Sequence, residues 1–282
     1  MRVAYFGRAG SYAHQAAARR FGGAARYIAC PTHPEVVDAL HAGRASVGVL
    51  PLENSVAGIV MESIDTLVSP TFVHSRLKIR EHLEIAPQLA LLSRHPAREI
   101  RRIYSHPYPI RYLSRWLKKN LPRAEVFETV STSEAAQLAS EQDGAAAIAG
   151  PQAARIYKLN ILRARLSRSH EYLTRFCVIA PRPLARGRST HAVLCFGLKH
   201  RPGALALALT ILARHGLNLT RILSRPLAHR TGKFEPDAYL FWVDVDIRVG
   251  HDIFRRALRE LKATTTFLDI LGEYFIRPRY GS

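Results

Sequence analysis

Acidic side chains are scarce in this sequence: 22 Asp and Glu stand against 41 Lys and Arg, a formal net charge of +19 over 282 residues. Such an imbalance points to a nucleic acid or an anionic small molecule as partner. The other marks of a nucleic-acid module are lacking. There is no basic tail and no interleaving of aromatic with basic residues, and the excess is spread along the chain with a bias to Arg. No specific nucleic-acid partner is expected. Arg111, Arg115, Lys118 and Lys119 do cluster, but they share one face of a helical pattern whose other face is Ile110, Leu113, Trp116 and Leu117. That is the layout of a solvated surface helix.

Cysteine is also scarce. Cys30, Cys177 and Cys195 are odd in number, far apart and mostly inside apolar segments, so neither a disulfide framework nor a CxxC metal or redox site is suggested. They read as reduced core residues. Long apolar runs are missing as well, with nothing near the roughly eighteen residues that a membrane span needs. The opening MRVAYFG has no charged and apolar leader pattern. A cytoplasmic location without a membrane partner is the expectation. Hydrophobic residues make up 48% of the chain, enough for one large core or two to three modest ones.

What is present begins with a short buried strand, Arg2–Phe6, followed by Gly7–Arg8–Ala9–Gly10–Ser11 and a helix through about Arg20. The glycines let backbone approach a ligand and Ser11 can cap the helix, whose N–H groups form a natural carboxylate or phosphate site. Any strand-to-helix turn favours glycine, so this pattern alone decides nothing. A second helix is expected over Pro34–Ala42. The strand Ala45–Leu50 then ends in Pro51–Leu52–Glu53–Asn54–Ser55 before a helix from Val60 to Leu67. Polar residues at the end of a strand sit where open α/β sheets bind ligands, and they serve equally well as a turn that caps the next helix.

Further strands are expected at Ala86–Leu92, Ile100–Tyr104 and Ala145–Ala149, with Glu125–Glu128 following the helix around Trp116 and Pro151 to Tyr157 starting a helix. His106 in Ser105–His106–Pro107 is open to reading as a general base or as a turn residue. Ser131 and Glu134 have capping-box spacing, which makes Ser131–Thr132–Ser133 a second hydroxyl-rich helix start. At Thr174–Arg175–Phe176, on the lip of the apolar run Cys177–Ala180, a hydroxyl adjoins a guanidinium. Two readings stand there: a donor to a departing oxygen beside a carboxylate anchor, or a β-branched strand residue next to a solvated Arg. The Pro- and Arg-rich stretch Pro181–Ser189 marks a domain boundary. Beyond it the order is strand Ala192–Leu198, helix Gly203–His215, strands Leu217–Ser224 and Ala238–Ile247, helix Asp252–Leu261 and strand Thr264–Tyr274. This is a ferredoxin-like βαββαβ pattern with no evident catalytic group, suited to binding or regulation.

Taken in order, several of these signals resemble the prephenate dehydratase family over nearly the whole chain. Gly7 to Ala17 is similar to the family's opening motif, and Gly48 to Ser55 with Gly58 to its second. Ser105–His106–Pro107, Ser131–Thr132 with Ala135–Ala136, and Thr174–Arg175–Phe176 match later ones. Pro202–Gly203–Ala204–Leu205 and Ser224–Arg225–Pro226 are similar to the phenylalanine-binding motifs of the family's ACT domain. The resemblance implies an α/β protein with a catalytic region over 1–181, of two subdomains like type II periplasmic binding proteins, the second at about 76–155. An ACT domain over 190–277 would follow.

The activity implied is conversion of prephenate to phenylpyruvate, with Thr174 at the leaving hydroxyl and no metal or organic cofactor. Ser11, Asn54, Ser55 and Thr132 would hold the carboxylates of prephenate or a related dianion, Arg175 would supply charge and Phe176 a pocket wall. Phenylalanine would be the effector of a homodimer or homotetramer, through Gly203, Ala204, Leu205, Asn218, Leu223, Ser224, Arg225 and Pro226. The chain departs from the family pattern at Ala13, Gln88, Tyr108, Tyr172 and Leu223. Those departures keep two further readings: a sister enzyme such as a decarboxylase on prephenate or a modified prephenate, and a non-catalytic small-molecule sensor.

Overall fold

The computed structural model describes residues 1–86, 88–167, 173–184, 188–233 and 236–277. The chain opens with β1 (Arg2–Phe6), α1 (Tyr12–Phe21), β2 (Arg26–Cys30), α2 (His33–His41), β3 (Val47–Asn54), β4 (Gly58–Ile59), α3 (Met61–Val68), α4 (Pro70–Val73) and β5 (Lys78–Ile85). It continues with β6 (Ala90–Ser93), β7 (Arg102–Ser105), α5 (Pro107–Tyr112), α6 (Ser114–Asn120), β8 (Glu125–Glu128), α7 (Thr132–Glu141), β9 (Ala145–Ala149), α8 (Pro151–Ile156) and β10 (Asn160–Arg163). It closes with β11 (Thr174–Ala180), β12 (His191–Leu198), α9 (Ala204–Arg214), β13 (Asn218–Pro226), α10 (Ala228–Thr231), β14 (Tyr239–Asp246), α11 (His251–Thr264) and β15 (Thr265–Ile276).

Two compact units result. One comprises Met1–Val60 and Leu83–Phe176. Its first sheet pairs β1 in parallel with β2 and β3, setting Val3 beside Tyr27 and Val47, and β11 comes next to β3 in strand order. Ser11 and Thr32 cap α1 and α2 with their hydroxyls, satisfying N–H groups that a helix start leaves open. A second sheet has the order β10-β6-β9-β7-β8. Its strand β9 is Ala-Ala-Ala-Ile-Ala, wholly buried, and such short side chains let α7 pack closely through Ala135, Ala136 and Ala139.

The other unit comprises Met61–His82 and Cys177–Arg277. Its sheet runs β13-β14-β12-β15-β5, and its βαββαβ order carries one short insertion, α10, between β13 and β14. Leu194 sits opposite Val243 on one side and Ile270 on the other, and α9 and α11 cover that face with Ile211, Leu212, Phe254 and Leu261. The ferredoxin-like module is therefore present. Among the described residues no helix is long and apolar enough to cross a membrane. Cys30, Cys177 and Cys195 are all buried, and burial pushes the Cys195 thiol up to about 12.

Several elements differ from the sequence reading. The strand expected at 86–92 forms only from Ala90, because Leu89 gives its N–H to the Ser167 hydroxyl and takes the N–H of Leu166 instead of joining a ladder. Pro87 lies outside the described residues, as do Ala185–Gly187 of the expected boundary. The helix around Trp116 is two short helices meeting at Leu113, with Arg111, Arg115, Lys118 and Lys119 exposed as expected. Strand β3 runs on through Glu53 and Asn54, where β4 pairs with it.

Strand β5 approaches β15 so closely that a Cβ on Gly272 would lie 2.1 Å from the carbonyl oxygen of Ile79. Gly272→Ala is accordingly expected to lower stability by about 1 to 3 kcal/mol, the scale of overpacking a core. Urea denaturation measures this, and a variant as stable as the parent would show that the two strands part without cost.

Candidate active site

Side chains alternate along a strand, so consecutive residues address opposite faces of a sheet. On β3 that rule separates Asn54 from Glu53, and on β11 it separates Thr174 from Arg175. The contacts follow suit. Asn54 Nδ2 donates to Thr174 Oγ1 at 2.9 Å, while Arg175 donates from Nη1 to Glu53 Oε2 at 3.2 Å and from Nη2 to Glu84 Oε1 at 2.8 Å. Thr174 and Asn54 are buried; Arg175 and its two carboxylates are partly exposed. Phe176 shares the face of Thr174 and is fully buried.

The Asn54 amide has little freedom to turn over. Its Oδ1 accepts the backbone N–H groups of Val56 at 2.9 Å and Ala57 at 3.2 Å, an Asx arrangement that leaves Nδ2 directed at Thr174. Thr174 therefore accepts from Asn54, and its own hydroxyl proton is left for a further acceptor. Ser55 fixes the neighbouring loop: its N–H donates to Leu173 O and its Oγ accepts the Leu173 N–H, both at 2.9 Å.

The strand period turns Thr174 and Arg175 to opposite faces of β11, and Glu53 and Glu84 pair with the guanidinium on its own face. Glu84, on a strand absent from the sequence reading, completes that cluster.

The Gly7–Ser11 turn uses positive φ at Gly7 (93°) and Gly10 (83°), where glycine has no steric penalty. Ser11 Oγ accepts the His14 N–H at 3.3 Å, the cap expected of it. Gly10 donates its N–H to His14 Nδ1 at 3.0 Å. Burial lowers the His14 pKa, which keeps that nitrogen an acceptor. Any side chain on Gly10 would meet Ile156 Cδ1 at 2.9 Å, with Ser133 Oγ at 3.8 Å. The start of α1 thus lies against the start of α7 and the end of α8, and Arg8 donates to Gln137 of α7 at 2.9 Å.

Ser131 caps α7 by accepting the Glu134 N–H at 3.1 Å, while the Glu134 carboxylate takes the N–H of Val130 at 2.9 Å, one residue before the bond to Ser131 that a capping box would make. Thr132 is buried in its first turn. Next to it, the hydroxyl of Ser133 is buried without a hydrogen-bond partner among the described residues. A polar atom in that state costs about 1 to 3 kcal/mol unless a ligand or water meets it. Sequence reasoning passed over Ser133, although it ends the hydroxyl run that drew attention to Thr132. Ser11 and Thr132 share no hydrogen bond with the Asn54–Thr174 pair among the described residues. His106 behaves as a turn residue: its Nδ1 caps α5 through the Tyr108 N–H at 3.4 Å, and burial lowers its pKa against an opposing effect of Glu128. A cavity of about 470 Å³ beside it is lined by Glu128 and Glu134, the wrong charge for a dianion. Tyr172 lies outside the described residues.

In the second unit, Gly203 adopts a left-handed conformation (φ 78°) ahead of Ala204 and Leu205 in the first turn of α9, and Asn218, Leu223, Ser224, Arg225 and Pro226 all lie on β13. Arg225 grips Asp65 of α3 with two bonds, at 2.7 and 2.5 Å, and touches His229 Nε2 at 3.1 Å. Leu223 stands opposite Trp242.

A buried hydroxyl held by a fixed amide at the end of an α/β strand offers a donor to a bound oxygen, the kind of group a lyase site uses. Comparison with known proteins narrows that class. The family model described as prephenate dehydratase matches residues 3–183. The bifunctional chorismate mutase/prephenate dehydratase of Aquifex aeolicus is 38% identical over 275 residues, 97% of this chain and 73% of that protein. The prephenate dehydratase of Amycolatopsis methanolica is 30% identical, covering 97% of this chain and 88% of its own length. The crystal structure of the Arthrobacter aurescens prephenate dehydratase in complex with L-Phe superposes with a TM-score of 0.84 at 28% identity, over 98% of this chain and 90% of that one. The chain belongs to the prephenate dehydratase family.

Replacing Arg175 by Met leaves Glu53 and Glu84 facing each other across the strand. The expected loss is about 1 to 2 kcal/mol, between exposed and buried ion-pair values. Denaturation at neutral pH measures it, and unchanged stability would deny the cluster a role in holding β11.

Proposed function

We propose that this lyase converts prephenate to phenylpyruvate, with Thr174 as the hydrogen-bond donor to the leaving ring hydroxyl. The carrying observation is the Asn54 to Thr174 hydrogen bond, which occupies a lone pair of the Thr174 oxygen and leaves its proton for another acceptor. The ring C–COO⁻ bond breaks, its electrons enter the ring, and the C–OH bond breaks at the opposite carbon. Carbon dioxide and hydroxide depart, and a proton passed through the Thr174 hydroxyl from solvent makes the hydroxide water. Aromaticity drives the reaction, so the protein's task is orientation and leaving-group assistance.

Ser11, Ser55, Thr132 and the unpartnered Ser133 are the neutral donors we assign to the two carboxylates, with helix N–H groups beside them. Asn54 is a positioning residue, Arg175 holds β11 from its other face, and Phe176 backs the pocket. We place the catalytic region at 1–181, its second subdomain at about 76–155, and a regulatory ACT domain at 190–277, in a cytoplasmic homodimer or homotetramer.

Phenylalanine is the effector we assign to Gly203, Ala204, Leu205, Asn218, Leu223, Ser224, Arg225 and Pro226. The Arthrobacter relative bound to L-Phe and the left-handed Gly203 opening α9 support this. Arg225 is the charged member of that set, and Asp65 supplies its carboxylate.

A mass-resolved assay with prephenate is expected to yield phenylpyruvate, suppressed by phenylalanine. A product lacking only carbon dioxide would mark a decarboxylase and overturn the assignment. Thr174→Ala should lower kcat by roughly 10² to 10⁴-fold, the range of general acid assistance, with a much smaller change in KM. Thr174→Ser should restore much of it. Full activity in the alanine variant would remove Thr174 from the mechanism.

A further inference from the structure

Strand β5 brings two cations to a cavity of about 340 Å³ that lies entirely in the second unit. Lys78 and Arg80 line it together with Pro183, Leu184, Ile270, Glu273 and Phe275. That volume is within the range of small-molecule pockets. The polar accounting at its floor is incomplete. Arg80 donates from Nε to Ala180 O at 3.3 Å and from Nη2 to Pro181 O at 3.1 Å, both uncharged carbonyls. The Lys78 ammonium makes no hydrogen bond or ion pair among the described residues. Asp269 is the carboxylate whose field favours its charge, but that group is bound to Arg230 at 2.5 Å. Glu273 pairs with His251 at 3.3 Å.

We propose that this cavity is a binding site for a small monocarboxylate with an apolar tail, its carboxylate on Lys78 and Arg80. Two cations facing one partly engaged carboxylate leave a positive balance for a single anionic group, and Glu273 disfavours a second. Leu184, Ile270 and Phe275 offer the apolar wall. Burial lowers the pKa of Lys78, with Arg80 adding to the effect and Asp269 opposing it. Burial likewise lowers that of Arg80. A bound carboxylate offsets both penalties, as charge-assisted bonds do. Lys78 and Arg80 flank Ile79, whose backbone lies against Gly272 of β15, so both side chains leave β5 on one face. The site is separate from Thr174 and Asn54, which belong to the other unit.

Calorimetric titration of the full chain with 3-phenylpropionate tests the idea. Lys78→Gln should weaken binding by roughly tenfold, the scale of one charge-assisted bond, and leave kcat/KM for prephenate within about twofold. Lys78→Arg, which keeps the charge, should bind within about threefold of the parent. Equal affinity in the glutamine variant, or no heat of binding by the parent at millimolar probe, would overturn the site. Prephenate turnover is read separately, so failure here and failure of the dehydratase assignment cannot be confused.

Discussion

The geometry at Thr174 depends on which way one amide faces. Two backbone N–H groups, from Val56 and Ala57, converge on Asn54 Oδ1 and make the flipped amide unfavourable, because flipping would set two donors against a third. With the amide fixed, Thr174 Oγ1 must accept, and its hydroxyl proton is left to donate to another group. The bond itself contributes only about 1 kcal/mol net, as such bonds do. Its importance is geometric: a rotating hydroxyl would lose part of its catalytic advantage to misorientation. Ser55 and Leu173, joined by one backbone bond and one bond from the Leu173 N–H to the Ser55 hydroxyl, tie the loop after β3 to the start of β11.

On the reverse of the same strands lies the opposite chemistry. Arg175 lies between Glu53 and Glu84, one carboxylate from each neighbouring strand, and the trio carries a net negative charge although the chain as a whole carries +19. Partial exposure makes each pair modest, yet three charges in alternation across three strands favour one register. Adjacent in sequence, Thr174 and Arg175 thus make separate contacts, Thr174 with Asn54 on one face and Arg175 with Glu53 and Glu84 on the other.

Much of this was legible beforehand, and the failures have physical causes. The turn at Gly7–Ser11, the Ser131 cap of α7 and the βαββαβ order are local patterns, so residues a few positions apart announced them. The pairing of Arg175 with Glu53 and Glu84 was not read, although the two-residue period of a strand already turns it away from Thr174. Strand β5 was missed because Glu81 and His82 put charge and polarity where a buried strand shows carbon. Glu81 is tolerated there by Arg277, a partner 196 residues away. Asp65 and Arg225 are likewise 160 residues apart, and no window on the sequence relates them. Ser133 differs again: its residue type was in view, while its lack of a partner is a property of packing alone.

The turning away of Arg175 also suits the reaction assigned to the site. One carboxylate of prephenate must leave as carbon dioxide, and its charge disperses into the ring as the bond lengthens. A guanidinium clamped to that group would stabilise the charged ground state more than the dispersed transition state, and so would raise the barrier. Neutral donors are better suited. In the mechanism we propose, hydroxyls such as Ser11, Thr132 and Ser133 and helix N–H groups would orient the carboxylate with weaker, more easily surrendered bonds, while Thr174 would meet an oxygen whose negative charge grows as it departs. Interactions that strengthen along the reaction coordinate are then on the leaving hydroxyl, and those that must weaken are on the leaving carboxylate. A chain rich in Arg that keeps a guanidinium off the reacting face of β11 fits that division.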